Sequence, residues 1–146
     1  MIAYLDSSVL ARAYLPDEDG HEQAVTLLED PHVVTVTGTW SRIEVSGALV
    51  RAARDGRGDE EGLLALLDED LDVDGPVTLL AVPQEELEER ALALVRAHGL
   101  RAMDAWHLAA AAEIGMTLLE AGESMALATR DGEQARLAEE LGFVLV

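Results

Sequence analysis

"MIAYLDSSVLARAYL", residues 1–15, changes its character at a single acid. Ile2–Leu5 is an unbroken apolar run, short enough for a strand buried on both faces. From Val9 to Leu15 the apolar spacing suits a helix instead. Between the two stand Asp6, Ser7 and Ser8. A carboxylate at a strand-to-helix junction either caps the helix or binds something there.

The same alternation runs to the end of the chain. Strand-like runs fall at Ile2–Leu5, Val33–Thr37, Val77–Val82, Met125–Thr129 and Phe143–Val146. Helical patterns lie between them: Ser7–Leu15, Glu18–Glu29, Thr39–Arg54, Glu60–Leu71, Gln84–His98, Ala102–Glu120 and Gly132–Leu141. Pro16, Pro31, Gly38, Gly75-Pro76, Pro83, Gly99 and Gly142 punctuate the boundaries. Short apolar strands separated by helices predict an α/β fold: a three-layer α/β/α sandwich with a short, mostly parallel five-stranded sheet. At 146 residues, with no internal repeat or linker, residues 1–146 read as one domain.

Composition narrows the function classes. There is no cysteine, which removes disulfide frameworks and thiolate metal sites. No apolar run reaches the roughly 18 residues of a membrane span, and the first residues lack a basic leader. A cytoplasmic protein with no membrane partner is the expectation. All ten basic residues are arginine, against 29 acids, for a formal charge of −19. That balance opposes non-specific binding to a polyanion and favours a basic protein partner or bound cations. Much of the charge is local, however: Asp59–Asp74 holds eight acids and no base, as a solvated helix face would.

Four acids fall where function is expected. In an open parallel sheet the ligand crevice lies beyond the carboxyl ends of the strands. Asp6 follows the first strand and Asp131 the fourth. Glu44 and Asp104 lie near helix starts, in line with apolar stripes, where an unpartnered carboxylate is expensive to desolvate. Each has a structural use open to it. Asp6 has the position of an N-cap, Ser41-Arg42-Ile43-Glu44 and Asp131–Gln134 resemble capping boxes, and Asp104 suits a first helical turn. Gathered on one rim with no lysine to offset them, the four must hold protons or a cation. Oxygen donors alone favour Mg²⁺ or Mn²⁺, which suits in-line attack of water on phosphorus.

Together, "YLDSSVLARAYLPDEDG", the isolated Glu44, "RAMDAWHLAAA" and "LATRDGEQARLAEELGF" resemble the PIN domain, and most of all the VapC-type toxins of toxin–antitoxin pairs. The likeness runs over essentially the whole chain. It implies a Mg²⁺- or Mn²⁺-dependent endoribonuclease whose acidic quartet is Asp6, Glu44, Asp104 and Asp131, with Asp6 and Asp104 direct metal ligands. It implies that Ser7 or Ser8 and Thr129 orient a carboxylate or water. It also implies a structured RNA substrate such as tRNA or rRNA, a homodimer, and a cognate antitoxin that places a basic residue beside the acids. Arg12, Arg42, Arg51, Arg54, Arg57, Arg101 and Arg130 flank the rim segments and offer a phosphate-binding collar, or else pair with surface acids.

Other residues read more plainly. His107 follows Asp104 by one turn but reads as a packed histidine. Trp40 and Trp106 read as packing anchors. A phosphoacceptor receiver domain would need a lysine, and a haloacid-dehalogenase-type phosphatase an aspartate where Ser8 stands. The remaining alternative is a catalytically silent acidic α/β module that captures a basic partner.

Overall fold

The computed structural model describes residues 1–146. Its strands are β1 (Ile2–Leu5), β2 (Val34–Gly38), β3 (Val77–Leu80), β4 (Ala126–Ala128) and β5 (Val144–Leu145). Its helices are α1 (Ser7–Ala13), α2 (His21–Glu29), α3 (Thr39–Arg54), α4 (Glu60–Asp70), α5 (Gln84–His98), α6 (Ala102–Leu118) and α7 (Gly132–Glu140). All the strand pairings are parallel, in the order β3-β2-β1-β4-β5. The chain leaves β1 toward β2 and β3 on one side, then returns to place β4 and β5 on the other. The crevice where that order reverses lies at the carboxyl ends of β1 and β4.

Successive strand residues face opposite layers, which accounts for the unbroken apolar runs. Tyr4, Val36 and Leu127 join one core with Leu94, Leu108 and Leu137. Leu5, Val77 and Ala128 join the other with Leu10, Leu49 and Leu67. Helix α6 is the inner helix of the first layer: Ala105, Leu108, Ala109, Ala110, Ala111 and Ile114 are all buried. Its small side chains let it lie close against the sheet and α5.

Several element ends differ from the sequence reading, each for a local reason. Helix α1 stops at Ala13, before Leu15, because Leu15 precedes Pro16 and is biased out of the helical region. Its N–H bonds Arg12 O at 3.2 Å in a tightened last turn. Helix α2 begins at His21 and not at Glu18, because Gly20 takes a left-handed φ of 91° at the N-cap. Asp17 and Glu18 turn outward to Arg57 instead.

Gly38 ends β2 where two side chains close over it. A Cβ there would stand 2.8 Å from Trp106 Cη2 and 3.1 Å from Tyr4 Oη. Gly38→Ala is therefore expected to destabilise by about 1–3 kcal/mol. A lower urea midpoint at unchanged slope would show it; an unchanged midpoint would mean that the Trp106 ring yields freely.

Candidate active site at the carboxyl ends of β1 and β4

Asp6 occupies the N-cap position of α1, yet its side chain accepts no backbone N–H of that helix. Capping, the first alternative for this residue, is therefore not what its carboxylate does. Its N–H donates to Ala128 O at 3.0 Å, fixing it between β1 and β4. Oδ2 accepts from Ser8 Oγ at 2.6 Å and faces Thr129 Oγ1 at 3.3 Å, and Oδ1 lies 3.5 Å from His107 Nε2. The residue is only 6% exposed. A carboxylate buried among hydroxyls, with no arginine beside it, carries a desolvation penalty that local packing does not explain.

Glu44 is not part of a capping box. Helix α3 starts at Thr39 with Gly38 as its N-cap, so Ser41 lies inside the helix and its hydroxyl meets Thr37 Oγ1 at 2.6 Å. The spacing of Ser41 and Glu44 was right for a box, but the helix begins too early. Glu44 Oε2 instead accepts from Ser7 Oγ at 2.7 Å and faces His107 Nε2 at 2.6 Å. A carboxylate only accepts, so Nε2 carries a proton, and Nδ1 lies 2.8 Å from the Tyr4 hydroxyl. Partial burial alone would raise the pKa of Glu44; the bonds from His107 and Ser7 outweigh it and hold the carboxyl below the usual range. Burial, reinforced by the charge of Asp6, pushes the Tyr4 hydroxyl well above the ordinary tyrosine value, so it remains a donor.

Asp104 and Asp131 form a second pair. Asp104 sits in the first turn of α6, as expected. Asp131 is the N-cap of α7, and Oδ1 accepts from Glu133 N at 3.1 Å and Gln134 N at 2.8 Å. For this acid the capping use is real, and it leaves Oδ2 directed at the crevice. Arg101 bridges the pair, with Nε 2.8 Å from Asp104 Oδ2 and NH2 2.7 Å from Asp131 Oδ2. Its side chain is 75% exposed.

The two pairs meet through Thr129 and Gln134. Thr129 Oγ1 touches Asp6, accepts the Asp131 N–H at 3.1 Å and bonds the buried Gln134 side chain. Gln134 Nε2 reaches Asp104 O at 3.0 Å. No three acid or imidazole groups converge on one point as metal ligands. That still suits Mg²⁺ or Mn²⁺, which commonly take one or two carboxylates and keep their waters. With oxygen donors throughout, the set fits a hard divalent cation.

Among the flanking residues, Ser7 serves Glu44, while Ser8 and Thr129 serve Asp6. The arginine collar divides. Arg42 pairs with Asp68, Arg57 with Asp17 and Glu18, and Arg101 with the site acids. His107 is buried, as the sequence suggested, but it is also the hub that joins Tyr4, Ser7 and Glu44. That second role, and the linking role of Gln134, were not read from the sequence. Their one signal was spacing: three residues after Asp104 and three after Asp131. Trp106 packs against the core, with its ring edge-on to Trp40 at 6.3 Å.

The PIN domain family model matches residues 3–140, a span that includes all four acids. No curated protein sequence matches the chain. Among solved structures, the chain is similar to that of VapBC-1 from nontypeable Haemophilus influenzae, with a TM-score of 0.59 and 15% identity. The match covers 100% of this chain and 97% of that one. At such low identity the likeness speaks for the fold.

Proposed function

The chain belongs to the PIN-domain family, and we propose that within it this protein is a Mg²⁺- or Mn²⁺-dependent endoribonuclease, the toxin of a VapBC-type pair. PIN domains are generally nucleases and typically use divalent metals. The observation that supports the reading is the linkage of two acid pairs, through Thr129 and Gln134, beside the crevice where the strand order reverses.

Asp6, Glu44, Asp104 and Asp131 are the residues that would hold the cation, Asp6 and Asp104 directly. When bound, the cation supplies a Lewis acid for the phosphate oxygens and lowers the pKa of an attacking water. The chain's own part is positioning. Ser8 and Thr129 hold Asp6 in one orientation. His107 and Ser7 keep Glu44 ionised while occupying only Oε2, so Oε1 remains free to accept a proton or face the cation. In the hydrolysis, the oxygen of water bonds to phosphorus and the P–O3′ bond breaks. The products are a 5′-phosphate and a 3′-hydroxyl.

The substrate is a structured RNA such as tRNA or rRNA, acted on in the cytoplasm, and the working form is a homodimer. A basic antitoxin silences it by laying an arginine across the acids, much as Arg101 already lies across Asp104 and Asp131. The formal charge of −19 draws such a partner in.

Arg101 also supports a second reading. An arginine bridging two site acids competes with a cation, as expected of a catalytically silent acidic module that only captures a partner. Arg101→Gln is expected to tighten Mn²⁺ binding about three- to tenfold in a calorimetric titration, as two exposed charge pairs are released. Unchanged affinity would mean that Arg101 does not compete.

Cleavage of total RNA decides between the readings. Discrete fragments bearing 5′-phosphates, formed with Mg²⁺ or Mn²⁺ and absent with EDTA, support the nuclease. A folded, partner-free preparation that cuts nothing leaves the binding module.

A further inference from the structure

A cavity of about 590 Å³ opens between α1, α2 and the turn from β4 to α7. Arg12, Gly20, Thr129 and Arg130 line it, and Thr129 is the residue whose hydroxyl also touches Asp6. The cavity therefore shares a wall with the acid site without containing any of its four carboxylates.

Its two arginines are unusual in this chain. With 29 acids available, Arg42, Arg57, Arg90, Arg101 and Arg136 all find a carboxylate. Arg12 and Arg130 find none. Glu22 and Asp30 line the same cavity, but neither reaches a guanidinium, and Asp30 is occupied by the His32 N–H at 2.9 Å. Arg51, Arg54 and Arg96 are also unpaired, but they are exposed on α3 and α5, away from the cavity.

The side chains of Arg12 and Arg130 both come close to Gly20. A Cβ on Gly20 would stand 2.8 Å from Arg130 NH1 and 3.4 Å from Arg12 Cδ. Gly20 itself has φ 91°, a conformation that other residues resist. A side chain there would fill the space between the arginines. Arg12 is held in place by NH1, which donates to Ser8 O at 2.9 Å. Its Nε is buried and has no partner, alone among the buried side-chain nitrogens and oxygens of the chain. Such a donor is costly unless something accepts from it. An anion would supply that acceptor, and guanidinium forks match the oxygens of a phosphate.

We infer that this cavity is a phosphate-binding subsite, in which Arg12 and Arg130 hold an RNA phosphate neighbouring the one placed at the acids. The inference rests on the nuclease reading for the identity of its ligand, though not for the anion chemistry. It also gives an acidic protein a means of holding a polyanion. The chain does not need a basic face, because two unpaired arginines beside the crevice bind one phosphate locally.

The test uses the whole protein in EDTA, so that no cleavage occurs, with inorganic phosphate and a short oligoribonucleotide as probes. Both are expected to move the amide resonances of Gly20, Thr129 and Arg130. Arg130→Gln is the decisive variant, since Arg130 is exposed and makes no bond within the chain. It is expected to weaken oligoribonucleotide binding about tenfold and to lower the slope of log K against log salt by about 0.7. Arg96→Gln makes the same charge change away from the cavity and is expected to do neither. Equal losses in both variants, or shifts confined to the surroundings of Arg101, would overturn the subsite. Binding of phosphate without binding of the oligoribonucleotide would reject RNA as its ligand. Cleavage with Mn²⁺ separates the two readings. If the native protein cuts RNA and Arg130→Gln leaves KM unchanged, the subsite fails and the nuclease stands. If the native protein cuts nothing while Arg130→Gln still loses affinity, the nuclease fails and the subsite stands.

Discussion

Asp6→Asn is expected to lower metal-dependent RNA cleavage by at least about a hundredfold while leaving the protein folded. The argument starts from what holds Asp6. Its carboxylate caps nothing and meets no arginine; Ser8 and Thr129 are its hydroxyl partners, and His107 stands at 3.5 Å. An asparagine oxygen can accept from Ser8 as the carboxylate does, so the fold loses little. The substitution also removes one of two negative charges gathered around His107. In EDTA the thermal midpoint is therefore expected to stay level or rise, because a carboxylate buried with no arginine beside it and a second carboxylate nearby opposes folding. Asp104→Asn should behave likewise, with the added loss of one Arg101 contact. Full cleavage in both variants would mean that the nuclease activity is a contaminant or that the site lies elsewhere. Loss of the fold together with the activity would make Asp6 a structural residue.

What the sequence disclosed, and what it hid, divides along physical lines. Strands and helices were legible because burial on one or two faces leaves a period in the chain, and the sheet's outer layers preserved it. Asp6 and Asp131 were legible for the same reason, since acids that follow buried strands must emerge at the rim of a parallel sheet. Helix starts were less so. Ser41 and Glu44 have the spacing of a capping box, but the chain turns helical directly after Gly38, where β2 ends. Local spacing cannot report where a neighbouring strand stops. Long-range pairing was the least legible. His107 meets Tyr4 across 103 positions and Glu44 across 63, and no periodicity marks either contact. The same holds for Arg101, which had many acids to choose from and took two of the site's own.

His107→Ala is expected to destabilise the protein by about 3–5 kcal/mol. The ring is buried, and removing it opens a cavity at the junction of β1, α3 and α6. It also strips a partner from the Tyr4 hydroxyl and from Glu44 Oε2. The Tyr4 hydroxyl cannot turn to water, because Tyr4 is fully enclosed. The pH dependence separates this account from simple loss of volume. The lowered pKa of Glu44 in the fold contributes stability above its unfolded value of about 4.3, and that contribution fades as pH falls through the lowered value. His107→Ala removes much of it. The gap between native protein and variant should therefore be widest near neutral pH and narrow below about pH 4. Urea titrations at both values would read it. A constant gap would make His107 a space-filling residue, and Glu44 would then need some other reason to remain ionised among buried groups. A gap that narrows as expected, together with a fall in kcat that Asp6→Asn does not compound, would place the imidazole beneath the acid site as the group that keeps one of its carboxylates charged.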